Sequence, residues 1–115
     1  MGTPSIGTIV LIPFPFSDLS GSKLRPTLII ASAGRGDWIC AQITSNSYSD
    51  ITAIQIQESD FFGGTLSRIS FVRPGKLFTA NENLFRRYIA TLRPEKFNVV
   101  LDAIISLLRG TYNAD

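Results

Sequence analysis

The chemistry open to this chain is set first by what it lacks. Its 115 residues hold no histidine and one cysteine. Ser-His-Asp triads, Cys-His dyads, HExxH zinc sites and histidine-based ribonuclease chemistry are therefore excluded. A transition-metal site has no ligand set. The carboxylates are scattered and form no calcium loop. Gly21-Ser22-Lys23 lacks the glycine spacing of a phosphate loop. What remains is a set of basic, hydroxyl and amide groups. Arg25 closes a polar stretch, Thr44, Ser45 and Asn46 end an apolar run, and Arg73 and Lys76 flank Pro74-Gly75. Such groups bind phosphate and stabilise a pentacovalent phosphorane. They are poor general bases at neutral pH, since an arginine pKa lies above ~12. Asp18 and Tyr48 are the nearest proton carriers.

The charge distribution points the same way. From Met1 to Ser67 three basic residues face five acidic ones, whereas Arg68 to Lys96 carries seven basic residues against Glu82 and Glu95. A basic half suits a polyanion, and equally a solvated surface facing an acidic partner.

The elements that must position these groups read as short strands. Thr8–Phe14 is apolar and β-branched, a strand buried on both faces and ended by Pro13 and Pro15. Pro15–Leu24 is a long polar loop. Arg25-Pro26 opens a strand over Thr27–Ser32, which a turn at Ala33–Asp37 joins to Trp38–Thr44. Arg35-Gly36-Asp37 belongs to that turn rather than to an adhesion motif. Ser45–Asp50 is a loop. Ile51–Gln57 alternates, with Ile54 and Ile56 inward and Gln55 and Gln57 outward. Phe61-Phe62-Gly63-Gly64 reads as a break and Leu66–Val72 as a strand. Arg73-Pro74-Gly75 reads as a turn before Lys76–Thr79, and Arg87–Leu92 as a last short strand.

The period then changes. Phe97, Val100, Leu101, Ile104, Ile105 and Leu108 line one face of a helix. Pro94 suits its first position, Glu95 its first turn, and Arg109-Gly110 its stop. Five or six short strands followed by one amphipathic helix predict a mostly β chain: a small barrel with a C-terminal helix packed against it. The length fits one domain over residues 1–115. Cys40, beside Trp38 and Ile39, reads as a buried, inert thiol. The first apolar run, Ile9–Ile12, is too short for a signal peptide, and no run reaches the ~18 residues of a membrane helix, so the expectation is a cytoplasmic protein with no membrane partner.

Three segments carry a resemblance. They are Gly7-Thr8-Ile9-Val10-Leu11-Ile12-Pro13-Phe14, then Lys23-Leu24-Arg25-Pro26-Thr27-Leu28-Ile29-Ile30, then Ala41-Gln42-Ile43-Thr44-Ser45. In this order they resemble the MazF/PemK-like toxins of bacterial toxin–antitoxin systems. The likeness resumes at Val72-Arg73-Pro74-Gly75-Lys76-Leu77-Phe78 and in the terminal helix, spanning roughly Gly7 to Leu108. It implies an SH3-like barrel that forms a homodimer. It also implies a metal-independent, cofactor-free endoribonuclease that cleaves single-stranded RNA, often at short sequences, to 2′,3′-cyclic phosphate and 5′-hydroxyl ends, and a cognate antitoxin that blocks the RNA groove. By the same resemblance Arg25 neutralises the phosphorane, and Thr44 hydrogen-bonds a non-bridging oxygen or positions the 2′-hydroxyl. Lys23, Ser45, Arg73 and Lys76 are the expected RNA contacts.

Without the resemblance, Arg25 is equally a loop-end ion-pair partner of Asp18, Thr44 a satisfied strand hydroxyl, Lys76 a solvated turn residue, and Arg86-Arg87 a solvated surface. One departure stands out: the family's acid in the third segment is missing from Arg73-Pro74-Gly75-Lys76, although that form recurs in a PemK-like branch. A binding module without catalysis, and a barrel that poisons a protein such as a topoisomerase, are the other readings. The pairing of Arg-Pro with Thr-Ser favours the nuclease.

Overall fold

Apolar, β-branched strands with no room for helical periodicity assemble here into one antiparallel sheet. The computed structural model describes residues 3–15, 22–47 and 50–111. Its strands are β1 (Thr8–Pro15), β2 (Ser22–Gly34), β3 (Asp37–Thr44), β4 (Ile54–Ile56), β5 (Phe61–Gly64), β6 (Ser70–Asn81) and β7 (Arg87–Leu92), followed by helix α1 (Pro94–Leu108). They pair in the order β4-β6-β3-β2-β1-β7-β5. The sheet curls into a half-barrel, and α1 packs on β6. This is the mostly β architecture with one C-terminal helix that the sequence predicts.

Both faces of the sheet carry buried side chains. Ile9, Leu28, Ala41, Ile43 and Val72 form one core with Val100 and Ile104 of the helix. Val10, Ile12, Ile29 and Cys40 form the other, covered by a layer that includes Phe14, Trp38 and Phe78. β1 is thus buried on both sides, as its unbroken apolar run predicts. Burying Val100 and Ile104 contributes about 1.5–3 kcal/mol each. The helix starts with Pro94 in its first turn, and Gly110 follows its cap residue Arg109 at φ +71°. Burial pushes the Cys40 thiol up to about 11, against a hydrogen bond with Thr27 that lowers it. The thiol is therefore protonated and unreactive at neutral pH.

The prolines behave differently from the expectation. Pro13 and Pro15 do not end β1, which continues to Pro15 with Pro13 opposite Leu24 and Pro15 opposite Ser22. The reason lies in the backbone. The Leu11 carbonyl accepts the Arg86 N–H at 2.9 Å, so the polar groups of Leu11 point toward β7. Positions 13 and 15 point the same way by the strand's period of two. β7 begins only at Arg87, opposite Leu11, so no ladder bond is lost there. The polar stretch is correspondingly shorter than read, since Ser22, Lys23 and Leu24 already belong to β2.

Three further segments differ from the expectation. The strand read over Leu66–Val72 starts at Ser70. Arg73-Pro74-Gly75 is not a turn but part of β6, and Pro74 is fully buried. Ala41 pairs with Leu77 and Ile43 with Val72, so β6 advances five residues while β3 advances two. The surplus is a bulge, which takes a proline with no N–H out of the ladder. Of Ile51–Gln57, only Ile54–Ile56 pairs, with Ile56 buried and Gln55 exposed.

Finally, Phe61-Phe62-Gly63-Gly64 is the edge strand β5 rather than a break. Gly64 has φ +71°, and a Cβ there would overlap the Ile89 carbonyl oxygen and come within 2.9 Å of the Ala90 Cα. Gly63 has open space around it. We expect Gly64→Ala to destabilise the fold by about 2–4 kcal/mol, from left-handed backbone strain plus overpacking. Gly63→Ala should cost under about 1 kcal/mol. Urea unfolding of the two variants checks this, and equal midpoints would refute it.

Candidate functional site

The site is built where β1 and β3 finish and β2, β6 and β7 begin. β2 passes between β1 and β3. Leu11, whose polar groups face β7, lies opposite Pro26. Pro26 is consequently oriented so that an N–H would point to β3, and it has none. The β2–β3 ladder accordingly ends at the pair Thr27↔Gln42. β3 runs on through Ile43 and Thr44, held from the other side by Val72 and Phe71 of β6. Arg25 lies two residues before Thr27 on β2 and Thr44 two residues after Gln42 on β3, so both stand just past the last rung of this ladder.

A cavity of about 520 Å³ opens at this end of the sheet. Lys23, Arg25, Thr44 and Ser45 all line it, so the structure brings together four of the six site residues read from the sequence. Arg68 and Arg87 line it too. Its charged wall residues are thus four cations, with no carboxylate among the described residues. Both added arginines had a sequence signal, since they belong to the basic half. The signal in the Arg86-Arg87 pair was strand periodicity, which separates the two side chains. Arg86 turns back to donate to the Asn83 carbonyl at 2.8 Å, whereas Arg87 joins the cavity.

Thr44 is oriented by its own turn. Its Oγ1 donates to the Asn46 carbonyl and accepts the Asn46 N–H, each at 3.1 Å. This local hydroxyl–backbone pairing fixes the strand end and the Ser45 that follows. Tyr88 also lines the cavity. Burial, and then the Glu82 charge, raise its pKa, so the phenol keeps its proton at neutral pH.

Arg73 and Lys76 do not join this cavity. Arg73 donates from Nε to Asp50 Oδ2 at 2.7 Å. An acid therefore does stand beside Arg73, supplied by the segment before β4 rather than by the third motif itself. Lys76 lies in the β6 bulge and lines a separate cleft. Asp18 and Tyr48 lie outside the described residues. No cluster of three or more carboxylate or cysteine side chains that could hold a metal ion occurs among the described residues, and no helix there is long and apolar enough to cross a membrane.

Asp50 ties the β3–β4 connection to β6. Burial works to raise its pKa. Hydrogen bonds from Arg73 and from the hydroxyl and amide of Thr52, at 2.6 and 3.0 Å, outweigh it, and the Arg73 charge adds to them. The net result lies below the ordinary value of 3.8. A carboxylate held low contributes stability above its unfolded pKa and loses it as pH falls through the folded one. Asp50→Asn should thus be less stable than wild type at pH 7, with the gap closing as the pH drops below about 4. Urea midpoints across that range test this, and a gap that stays constant would exclude the ion pair as its source.

The sequence profile of a family described as the PemK-like, MazF-like toxins of type II toxin–antitoxin systems matches residues 5–108. Comparison with curated proteins gives no significant match. Solved structures agree on the fold. A mycobacterial endoribonuclease in complex with its cognate antitoxin superposes with a TM-score of 0.74 at 16% identity, covering 96% of this chain and 100% of that one. A MazE–MazF structure from Deinococcus radiodurans gives 0.75 at 17% identity, covering 95% and 98%. The Mycobacterium tuberculosis toxin MazF-mt6 gives 0.64 at 18%, covering 87% and 96%. The chain belongs to the PemK-like, MazF-like toxins of type II toxin–antitoxin systems.

Proposed function

We propose that this toxin is a metal-independent endoribonuclease acting on single-stranded RNA, with Arg25 and Thr44 at the scissile phosphate. The observation that supports the reading is that both residues line one cavity, whose charged wall residues among the described residues are all cations. An RNA strand crossing the cavity brings a doubly esterified phosphate to these two side chains. The adjacent 2′-hydroxyl attacks phosphorus and gives up its proton to water, the bond to the 5′-oxygen breaks and that oxygen takes up a proton from water, and the products are a 2′,3′-cyclic phosphate and a 5′-hydroxyl. Charge accumulates on the non-bridging oxygens in the transition state. The Arg25 guanidinium neutralises it with paired N–H donors. Thr44 turns its hydroxyl from the Asn46 carbonyl to the same oxygens. Its amide partner in the turn remains, so the oxygen stays in place as the proton swings.

Lys23, Ser45, Arg68 and Arg87 hold the flanking phosphates. These contacts position the strand without reading its sequence. Arg73, committed to Asp50, fixes the loop before β4 and contributes to RNA binding through the field it adds. The physiological partner is a cognate antitoxin that occupies the same cationic groove, and the working form is a cytoplasmic homodimer. No cofactor enters the reaction.

The test is cleavage of single-stranded RNA in excess EDTA, wild type beside Arg25→Ala, with end-group analysis. Wild type should leave cyclic-phosphate ends, and Arg25→Ala should be slower by ~10² or more. Equal rates would remove Arg25 from the mechanism. RNA left intact by both proteins, yet bound in a salt-dependent way, would make the chain a binding module.

A further inference from the structure

The β6 bulge does more than accommodate Pro74. Because β6 spends five residues where β3 spends two, Gln42 falls at the one position of β3 between Ala41 and Ile43 where β6 offers no opposite residue. Its side chain is half-buried, and the structure gives it no hydrogen-bond partner among the described residues. It opens into a second cleft of about 460 Å³. Phe14, Phe78 and Leu84 supply the cleft's apolar wall, and Lys76 from the bulge stands at its margin. The two phenyl rings meet edge to face, with centroids 5.2 Å apart at 88°.

The cleft adjoins the site already described. Gln42 lies two residues before Thr44, on the same face of β3 and about 7 Å along it. It also lies opposite Thr27, two residues from Arg25 on β2. A group held at Gln42 is therefore within one nucleotide of a phosphate held between Arg25 and Thr44.

We infer that this cleft is a nucleobase subsite and that Gln42 is its specificity-determining residue; this rests on the ribonuclease reading above. The chemistry of the wall selects the ligand. A base has an apolar π-face for the phenylalanines and an edge that carries donors and acceptors side by side. A primary amide offers one acceptor and two donors, so it pairs with such an edge in two bonds at once. Lys76 supplies a point charge for the phosphate of that nucleotide. A half-buried amide that bonds no described residue exchanges water for two bonds to a base edge in one orientation, and loses water without that return at a mismatched edge.

The test uses short 2′-O-methyl RNAs carrying every base at every position, which bind but lack the attacking hydroxyl. Their affinities are measured for wild type, Gln42→Ala, Gln42→Glu and Arg25→Ala. The expected result is an approximately tenfold preference for one base at one position in wild type. That preference is lost in Gln42→Ala and moved to a different base in Gln42→Glu, whose carboxylate only accepts. Arg25→Ala weakens all sequences and keeps the preference. An unchanged preference in both Gln42 variants overturns the subsite while leaving the ribonuclease reading intact. Absence of RNA binding by wild type overturns both. Sedimentation of Leu84→Asp checks the other occupant. If this variant splits a wild-type dimer and raises the affinity for every RNA, the cleft is covered by a second copy and the subsite is overturned.

Discussion

Everything at this site follows from one missing N–H. Pro26 sits at the ladder position of β2 that would donate toward β3, and it cannot. The two strands are zipped as far as Thr27 and Gln42 and parted beyond them. Neither drifts away, because β1 holds β2 down to Ser22 and β6 holds β3 out to Thr44. Each strand is thus held by its outer neighbour where the two no longer pair with each other. A backbone hydrogen bond there would close the opening between the two strands. The Arg-Pro dipeptide is one device, in which the proline makes the opening and the arginine beside it supplies the charge.

A second irregularity works on the same strand from its other side. The β6 bulge removes the partner of Gln42 just as Pro26 removes that of Ile43. β3 is consequently paired on one side only at two successive positions, each facing a different cavity. Regular pairing through this stretch would give a smoother sheet and no concave surface. The strand's buried residues on both faces, Cys40 on one and Ala41 and Ile43 on the other, anchor it through both interruptions. A one-residue slip would exchange these faces, so the register that buries the core is also the register that brings Arg25 and Thr44 to one cavity.

Much of this was legible in the residues. The terminal helix announced itself by period, the strands Trp38–Thr44 and Arg87–Leu92 by β-branched alternation, and Arg25 and Thr44 by type and by the segments around them. The sequence misled where proline and glycine were taken as punctuation. Pro13, Pro15 and Pro74 all lie inside strands, because each falls where no ladder partner awaits its nitrogen. That depends on where a neighbouring strand stops, which only tertiary pairing decides. Gly63-Gly64 reads as a break, yet Gly64 is what lets β5 lie against the backbone of β7. Arg68 and Arg87 were visible as charge but not as site, because a cavity wall drawn from five strands and a connecting segment has no linear signature. The ion pair of Arg73 was not legible either, because its partner Asp50 stands far back in the chain.

The prolines of β1 have one more effect. Beyond Leu11 this strand has no ladder partner on that side among the described residues, since β7 has not yet begun. An uncovered strand edge recruits other strands, from neighbouring copies or from any unfolded chain nearby. Pro13 and Pro15 fall where the outward donors would be, so a foreign strand laid along this edge finds alternate rungs absent. The rim of the cavity is thereby closed to backbone pairing and left open to ligands recognised through side chains. In a crowded cell, that keeps this side of β1 from becoming a point of aggregation.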